Sequence, residues 1–289
     1  MQERASGVTD EVTPGDVVLG VDIGGTTVKA ALVDVRSGIL VSERVEAETP
    51  RPATVAALGE AVQTLVQTSF TGRYELVGLG FPATVRRGIA LSAVNLHKGW
   101  VEGDLGRIFG QLLCAPVWAV NDSDAAAIAE ARFGAGRDVD GTLLIVTLGT
   151  GVGTTLVIDH QLVPNVELGL LSVRGRPAGA RVSNRARKEQ DLSWDRWAKD
   201  LDRFIHKLEL TVSPDLIVIG GGVSAHGDRF LPKLTARTPV VAAALRNDAG
   251  IIGAARYAWD QVERRRRTGP HPPQVMDLRA PDEPAPARE

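Results

Sequence analysis

Carboxylates beside glycine-rich turns are the residues of this 289-residue chain whose types and spacing are suited to chemistry. Asp22 precedes a first glycine turn, Gly24-Gly25-Thr26-Thr27, and Asn121-Asp122 lies between it and a second, Gly149-Thr150-Gly151-Val152-Gly153. Glycine lacks a Cβ and reaches positive φ cheaply, so backbone N–H groups of such turns can approach phosphate closely. Two phosphate loops with a carboxylate between them predict a cleft for phosphoryl transfer.

The first glycine turn has two interpretations. It lies between two apolar runs of strand character, so a plain hairpin turn explains it. Alternatively, it cradles phosphate, with the hydroxyls of Thr26 and Thr27 as hydrogen-bond donors. In that interpretation Asp22 holds Mg²⁺ through water and Lys29 supplies a point charge.

Asp122 lies where a predicted strand ends and a predicted helix begins. Asn and Asp are preferred N-caps, so helix capping alone explains the pair Asn121-Asp122. The functional interpretation is a general base that accepts the hydroxyl proton of an acceptor alcohol. One oriented carboxylate is enough, because phosphoryl transfer depends mainly on positioning and charge neutralisation.

The second glycine turn resembles a dinucleotide-binding fingerprint, which requires a helix after it. Residues 154–158 are instead rich in β-branched side chains and predict a strand. We therefore exclude a Rossmann site. The candidate phosphate ligands of this turn are Gly149, Thr150, Gly151 and Gly153.

Three further groups of residues each have two interpretations. A third glycine turn, Gly220-Gly221-Gly222, either passes beneath the donor or is a tight βα connection. Polar residues after the second meander are either sugar ligands or exposed turn residues: Asn165, Glu167 and Gly169. A basic run is either a solvated face or the path of an anionic polymer along the cleft: Arg181, Arg185, Arg187 and Lys188.

Hydrophobic periodicity predicts two similar halves. The predicted strands are 17–22, 28–35, 39–45, 76–81, 117–120, 142–148, 152–158, 161–163 and 216–219. The predicted helices are 52–70, 105–113, 123–133, 192–210 and 251–262. Each half opens with an antiparallel meander and continues as β/α units, which suggests an internal duplication with the ligand between the lobes. We expect lobes at 15–121 and 122–262, the last helix packing back on the first lobe, and a disordered tail at 263–289.

Composition excludes several classes of protein. Hydrophobic residues make up 44% of the chain and the net charge is −2, so a core is available and no global field favours nucleic acid or membrane. The single cysteine, Cys114, excludes an internal disulfide and a multi-cysteine metal site. No apolar run approaches the ~18 residues of a membrane span, and the N-terminus has no signal-peptide core. We expect a cytoplasmic protein.

The motifs, in this order, resemble the ROK family of repressors and sugar kinases, within the actin-like ATPase superfamily, and most of all its polyphosphate glucokinase subgroup. The resemblance extends from about Val17 to Trp259. It rests on the glycine turns and on Asn121-Asp122-Ser123-Asp124-Ala125-Ala126, Arg132-Phe133-Gly134-Ala135-Gly136-Arg137, Val163-Pro164-Asn165-Val166-Glu167-Leu168-Gly169, Asp191-Leu192-Ser193-Trp194 and Asn247-Asp248-Ala249-Gly250-Ile251-Ile252-Gly253-Ala254.

This resemblance implies an α/β, two-lobed actin-like ATPase (ribonuclease H-like) fold and a Mg²⁺-dependent kinase that phosphorylates the 6-hydroxyl of a hexose such as glucose. Polyphosphate or ATP is the implied donor, and a homodimer without nucleic-acid or membrane partners is expected. Asp122 is the implied base, and the three glycine turns hold the donor. The implied sugar ligands are Asn95, Asn121, Asp122 and Glu167. The family's cysteine zinc cluster is absent, as in the subgroup.

Two departures from the family pattern affect the expected chemistry. Leu170 and Ser172 stand where the family has His and Glu near the sugar, and a lost polar contact costs ~1–3 kcal/mol. Asp138-Val139-Asp140 replaces basic residues, which weakens the expectation of polyphosphate as donor. The alternatives are a catalytically weak sugar-binding homologue and, less favoured, a sugar-responsive repressor, because only about 16 residues precede the first predicted strand.

Overall fold

The computed structural model describes residues 14–93 and 96–268. Its strands are β1 (Val17–Ile23), β2 (Thr27–Asp34), β3 (Ile39–Leu40), β4 (Val45–Glu48), β5 (Val77–Phe81), β6 (Val85–Arg86), β7 (Ile89–Ala90), β8 (Val117–Asn121), β9 (Thr142–Leu148), β10 (Val152–Ile158), β11 (Gln161–Val163), β12 (Ser172–Val173), β13 (Arg176–Pro177), β14 (Leu216–Gly220) and β15 (Val240–Ala242). Its α-helices are α1 (Val55–Phe70), α2 (Leu105–Leu113), α3 (Asp122–Phe133), α4 (Gly179–Val182), α5 (Asn184–Glu189), α6 (Trp194–Val212) and α7 (Ala249–Thr268).

Two main sheets share one plan. The first has the order β3-β2-β1-β5-β8, with β4 also paired to β2, and the second has the order β11-β10-β9-β14-β15. In each sheet an antiparallel meander leads into parallel strands, β1-β5-β8 in the first and β9-β14-β15 in the second. The glycine turns therefore join β1 to β2 and β9 to β10, at corresponding places in the two sheets.

Helices cover both faces of each sheet. α1 and α2 bury Leu58, Val62 and Phe109 on one face of the first sheet. α7 packs on β1 and β5 on the other face, and α3 packs both on α7 and on the second sheet. α6 covers the far face of the second sheet, where Trp197 and Phe204 are buried. The pair α3–α7 thus forms a layer between the sheets.

Close backbone contacts explain two glycines in this layer. A Cβ on Gly78 of β5 would lie 1.9 Å from the carbonyl oxygen of Ala254, and one on Gly253 of α7 would lie 1.6 Å from that of Ala125. Such separations do not occur between real atoms, so α7 rests on β5 and on α3 only because these positions lack side chains.

Three predicted elements end elsewhere in the structure. The predicted third strand, 39–45, is two short strands, β3 and β4, because the Ser42 hydroxyl accepts the Leu32 N–H at 2.9 Å and interrupts the ladder. The helix predicted to begin at Pro52 begins at Val55, capped by Thr54. α7 continues to Thr268, six residues into the stretch 263–289 that was expected to be disordered. Periodicity also missed the short helices α4 and α5, because they contain little apolar pattern.

Among the described residues, no helix combines the length and apolar character that crossing a membrane requires.

Candidate active site

Two aspartates converge at the carboxyl ends of β1 and β8. Asp22 is in register with Gly80 of β5, the strand that separates β1 from β8. A Cβ on Gly80 would lie 3.5 Å from the Asp22 Oδ1 atom and 3.7 Å from the Asp122 Cα atom. Both residues therefore border the same small space, which Gly80 leaves open.

The carboxylate of Asp22 also fits against the first turn of α7. A Cβ on Gly250 would lie 2.6 Å from the Asp22 Cγ atom. Any larger residue at position 250 would displace the carboxylate, whereas glycine allows it to lie at the N-terminal end of a helix, where negative charge is favoured. Nothing in the local sequence around Gly250 indicated this role, because the contact joins residues far apart in the chain.

The electrostatics of this space favour proton uptake by Asp122. Burial, and then the negative charge of Asp22, raise the pKa of Asp122 to about 7. Burial also raises the pKa of Asp22, while Lys29, whose Nζ atom lies 3.7 Å from the Asp22 Oδ2 atom, opposes that rise. Lys29 therefore partners Asp22 across the β1–β2 pair rather than standing free as a phosphate contact.

The second glycine turn lies next to the space between the two aspartates, because it contacts Ser123, the neighbour of Asp122. The Ser123 Oγ atom lies 3.0 Å from the Thr147 Oγ1 atom at the end of β9. A Cβ on Gly153 would lie 2.1 Å from that Ser123 oxygen. Gly153 is therefore required for close packing against the start of α3, and its expected role as a phosphate ligand stays a prediction.

Open space characterises other glycines of the two turns. A Cβ placed on Gly25, Gly149 or Gly151 would meet no atom within 4 Å. None of the glycines in these turns has positive φ, so their value lies in the missing side chain rather than in a left-handed backbone. Backbone N–H groups here can be approached by an anion.

Hydrogen bonds fix the positions of both turns. Gly24 N–H donates to the Thr27 carbonyl at 2.9 Å, and the Thr49 hydroxyl donates to the Gly24 carbonyl at 2.8 Å. In the second turn Gly149 N–H donates to the Gly151 carbonyl at 3.1 Å, and Thr150 lies between them. The turns are thus ordered without a ligand bound.

The third glycine turn passes over the end of β9. Gly221 has φ +80°, and a Cβ there would lie 2.6 Å from the Leu148 carbonyl oxygen. The turn continues into a 3₁₀ segment, Ser224–Arg229, rather than the expected α-helix. Gly220 and Gly222 flank this close approach, so the third turn lies beside the second. The observed contact supports a packing role for the third turn more directly than a role in binding the donor.

Asn121 is committed to structure. Its side-chain oxygen accepts the N–H groups of Ser123 and Asp124 at 2.9 and 3.1 Å, and its amide nitrogen donates to the Ala83 carbonyl at 2.9 Å. These bonds leave one amide hydrogen of Asn121 for a substrate, so its expected role as a sugar ligand stays a prediction. Asn95, another expected sugar ligand, lies outside the described residues.

Glu167 is the candidate sugar ligand that the structure leaves available. It is exposed, and its side chain makes no hydrogen bond or ion pair with any of the described residues. The Thr154 hydroxyl holds both neighbours, donating to the Val166 carbonyl at 2.6 Å and accepting the Leu168 N–H at 2.8 Å. Gly169 packs on β10, where a Cβ would lie 2.3 Å from the Val152 carbonyl oxygen, so this position admits no larger residue.

A buried carboxylate that the sequence did not single out as functional lies two residues after Asp122, in the same turn of α3. Asp124 is 2% exposed and accepts the Thr155 hydroxyl at 2.9 Å and the Asn165 N–H at 3.1 Å. Burial raises its pKa to about 6, and the charge of Glu167 adds to the rise. Glu167 is therefore close enough to Asp124 for the two charges to interact.

Asn165 connects the part of the molecule that contains the second sheet to the part that contains the first sheet. Its amide oxygen accepts the Val85 N–H at 3.1 Å and its amide nitrogen donates to the Val85 carbonyl at 3.0 Å. This paired contact, together with the bond to Asp124, is called the strap below. Asn165 is thus a structural residue and not the sugar ligand that its position in the motif suggested.

The positions that depart from the family pattern are exposed. Leu170 is 74% exposed, while its neighbours Leu168 and Leu171 pack into the core. Ser172 is also exposed, in the short strand β12. Leu170 has therefore not been absorbed into apolar packing, and the two positions remain open to solvent next to Glu167.

The acidic substitutions lie away from the second turn. Asp138 and Asp140 precede β9, whereas the second glycine turn follows it. β9 has seven residues, roughly 20 Å at ~3.3 Å per residue. These aspartates therefore lie at the opposite end of β9 from the second turn, and their effect on a polyphosphate donor stays a prediction.

The basic run, by contrast, lies against the second turn. Arg185 N–H donates to the Gly149 carbonyl at 3.1 Å, and α5 carries the run away from that point. Arg187 stacks over Trp194 with its Cζ atom 4.1 Å from the ring centroid. The buried Nε atoms of Arg181 and Arg187 have no hydrogen-bond partner among the described residues, so each retains a donor.

The donor set at the aspartate pair fits Mg²⁺. Mg²⁺ usually keeps several waters and binds through one or two carboxylates together with substrate phosphates. Asp22 and Asp122 offer two carboxylates beside a turn open to phosphate. No cluster of three or more His, Cys, Asp or Glu side chains suited to a metal occurs among the described residues, so a fully protein-held metal site is not found there.

Sequence comparison now identifies the family. The model of the ROK family matches residues 18–165, and the chain belongs to this family. The chain is 36% identical over 256 residues to a polyphosphate glucokinase of Mycobacterium tuberculosis (strain CDC 1551 / Oshkosh), covering 87% of this chain and 96% of that protein. It is 37% identical over 237 residues to a polyphosphate glucokinase of Mycobacterium leprae (strain TN), covering 82% and 72%.

Comparison with solved structures leads to the same family. An inorganic polyphosphate/ATP-glucomannokinase from Arthrobacter sp. strain KM matches with a TM-score of 0.81 and 42% identity, covering 85% of this chain and 99% of that one. A ROK family glucokinase from Streptomyces griseus, solved with glucose and AMPPNP, matches with a TM-score of 0.74 and 25% identity, covering 84% and 99%. The expected family and the expected actin-like fold are both confirmed.

Proposed function

We propose that this chain is a sugar kinase that transfers a phosphoryl group to the 6-hydroxyl of glucose, with Asp122 as general base. The observation that carries this proposal is the position of Asp122, which adjoins Asp22 across Gly80 and the second glycine turn through Ser123. Its relatives named as glucokinases support glucose as the acceptor.

The geometry supports a specific path for the proton. The Asp122 Oδ1 atom accepts the Ser123 N–H at 2.9 Å, which leaves Oδ2 to receive the proton of the sugar hydroxyl. As that proton leaves, the sugar oxygen forms a bond to the terminal phosphorus of the donor, and the bond from phosphorus to the bridging oxygen breaks. The shortened donor departs with the electron pair of that bond.

The remaining residues have supporting roles. Glu167, held by the Thr154 hydroxyl, would accept hydrogen bonds from sugar hydroxyls. The N–H groups of Gly25, Thr150 and Gly151 would face the donor phosphates, since the Gly149 N–H is bonded to the Gly151 carbonyl. Mg²⁺, held by Asp22 through water, would neutralise phosphate charge when bound, and that charge would lower the pKa of Asp122 below about 7.

Polyphosphate is the donor that the basic run favours. Arg181, Arg185, Arg187 and Lys188 lie beside the second turn, along α4 and α5, where a polymer would leave the cleft. A nucleotide has no need of charge that far from its triphosphate, whereas a chain of phosphates does. Asp138 and Asp140 precede β9, at the end of that strand away from the second turn.

A coupled assay for glucose 6-phosphate, with ATP and long-chain polyphosphate supplied in parallel, tests the proposal. We expect turnover with polyphosphate that falls steeply as salt rises, because salt screens contacts to exposed cations. Turnover with ATP alone, insensitive to salt, would refute polyphosphate as donor while leaving the kinase in place.

One observation favours a second candidate, a sugar-binding protein with little activity. Leu170 is 74% exposed beside Glu167, where a polar sugar contact was expected. Calorimetry with glucose separates the two candidates. Binding of glucose without turnover under either donor would establish the second candidate and overturn the first.

A further inference from the structure

A groove of about 890 Å³ lies outside the candidate active site. Its walls are the β6–β7 hairpin, the second half of α3, the β10–β11 hairpin and the last turns of α7. Neither Asp22, Asp122 nor any glycine of the three turns lines it. The groove is therefore a separate feature, and the proposed kinase chemistry makes no use of it.

Unpaired arginines dominate the groove. Within residues 14–93 and 96–268, five lining guanidinium groups make no ion pair or hydrogen bond: Arg86, Arg87, Arg132, Arg264 and Arg267. The two lining acids are already paired, Asp260 with Arg256 at 2.9 Å and Glu263 with Arg266 at 2.8 Å. The groove therefore carries a strong local excess of positive charge on a chain whose net charge is −2.

The charges come from three separate parts of the chain. Arg86 and Arg87 project from the β6–β7 hairpin, Arg132 from α3, and Arg264 and Arg267 from α7. An ordinary solvated helix face carries its charges on one convex element, but here they surround a concavity. One exposed ion contact is worth little, so a ligand that gains from this arrangement must contact several arginines at once.

The wall chemistry favours phosphate chains over nucleic acid. Single-stranded nucleic acid binds through free aromatic faces on which bases stack. The aromatic Trp259 has Arg256 over its ring at 4.6 Å and Arg36 at 5.9 Å, so its ring is engaged within the protein. Tyr257, deeper in the groove, offers a hydroxyl that Arg264 and Asp124 both influence electrostatically.

We propose that this groove is a second anion site, which binds a linear oligophosphate through the arginines of the β6–β7 hairpin, α3 and α7. The choice of an oligophosphate rests on the proposed use of polyphosphate as donor. The charge and the concavity that make the site do not depend on that use.

An oligophosphate bound in the groove reinforces the connection that the strap makes. Val85 and Asn165, which hold the two sides of the molecule together, both line the groove. An oligophosphate that contacts Arg86 of the β6–β7 hairpin and Arg132 of α3, which packs on the second sheet, adds a second connection there. Bound oligophosphate should therefore raise the melting temperature even when the active-site cleft is filled.

Calorimetry with tripolyphosphate tests the site. The full chain is first saturated with a non-hydrolysable ATP analogue and glucose, so that the cleft is occupied. We expect tripolyphosphate still to bind, with an affinity that falls as salt rises. The variant Arg132→Glu with Arg264→Glu should bind about tenfold or more weakly, because two contacts become repulsions.

The matched control reverses two exposed charges elsewhere, Arg73→Glu with Arg107→Glu, and should bind as the wild type does. Absence of binding with the cleft filled, or equal loss in both double variants, would overturn the site. Sedimentation supplies a further check. If the wild type is a dimer that binds no tripolyphosphate, and the Arg132/Arg264 variant is a monomer, then a second copy of the chain occupies the groove and the proposed site is overturned. These results stand whether or not glucose is phosphorylated, so failure of the site and failure of the proposed function are distinguishable.

Discussion

The first turn of α3 carries two aspartates whose surroundings differ. Asp122 faces the cleft, with one backbone hydrogen bond and the charge of Asp22 nearby. Asp124 faces the strap, with both oxygens engaged by Thr155 and Asn165. Burial raises both pKa values, to about 7 and about 6, yet only Asp122 has an oxygen free for a substrate. A perturbed pKa alone therefore does not separate a base from a structural carboxylate, whereas the hydrogen-bond partners do.

The largest expected effect is on turnover at Asp122. Asp122→Asn should lower kcat by about 10²–10⁴-fold, the usual contribution of a general base. Glucose affinity should change little, since Asn fits the same space and its side-chain oxygen can still accept the Ser123 N–H. Steady-state kinetics and calorimetry on the same preparation measure both. Wild-type kcat in this variant would exclude Asp122 as the general base.

The second effect is on stability at Asp124. Asp124→Ala leaves the Thr155 hydroxyl and the Asn165 N–H without partners and should cost about 1–3 kcal/mol. The KM for glucose should rise, because the segment that holds Glu167 loses its anchor, while kcat falls much less than in Asp122→Asn.

Asp124→Asn is the matched control, because its amide can donate to Thr155 and accept from Asn165. It should retain most of the stability, as measured by thermal unfolding. A kcat loss in Asp124→Ala as large as that in Asp122→Asn would erase the distinction between the two carboxylates.

Alanine variants at Gly153 and Gly151 of the second glycine turn should show a smaller difference. Gly153→Ala places a methyl group against the Ser123 oxygen and should cost about 1–3 kcal/mol of stability through overpacking. Gly151→Ala adds a methyl group in open space and should leave the melting temperature unchanged. It should instead raise the KM for the donor, because it blocks close approach of phosphate. If Gly151→Ala leaves that KM untouched, the second turn does not contact the donor.

The smallest effect is on the pH dependence of stability. In the folded protein the raised pKa values of Asp122 and Asp124 mean that the native state binds more protons than the unfolded chain between about pH 4 and 7. Stability should therefore fall as pH rises through this window. Urea unfolding at several pH values should show a shallower fall for Asp122→Asn, whose amide does not titrate. An identical slope in both proteins would contradict the raised pKa of Asp122.

The sequence was enough to predict the elements that carry the site. Strand and turn patterns placed both meanders, and the order of the motifs placed Asp122 between the first two glycine turns. The family resemblance, since confirmed, supplied the fold. Short-range signals of this kind survive folding because each turn forms from neighbouring residues.

Contacts between distant residues could not be predicted in this way. The strap joins residues 80 positions apart, and no local pattern marks Asn165 as a partner of Val85. Gly250 and Gly153 were interpreted as turn or family residues, although each is fixed by an oxygen atom from another element. The exposure of Leu170 follows from the packing of its two neighbours, which periodicity over so short a segment does not reveal.

Titration of the aspartate carboxyl carbons by NMR tests the comparison of Asp122 with Asp124 most directly, and it needs no substrate. Wild-type protein, Asp122→Asn and Asp124→Asn are compared, so that each missing resonance assigns its residue. We predict one resonance that titrates near pH 7 and is lost in Asp122→Asn, and another near pH 6 that is lost in Asp124→Asn. A resonance lost in Asp122→Asn that titrates near pH 4 in the wild type would contradict the account, because Asp122 would then have the proton affinity of an ordinary exposed carboxylate.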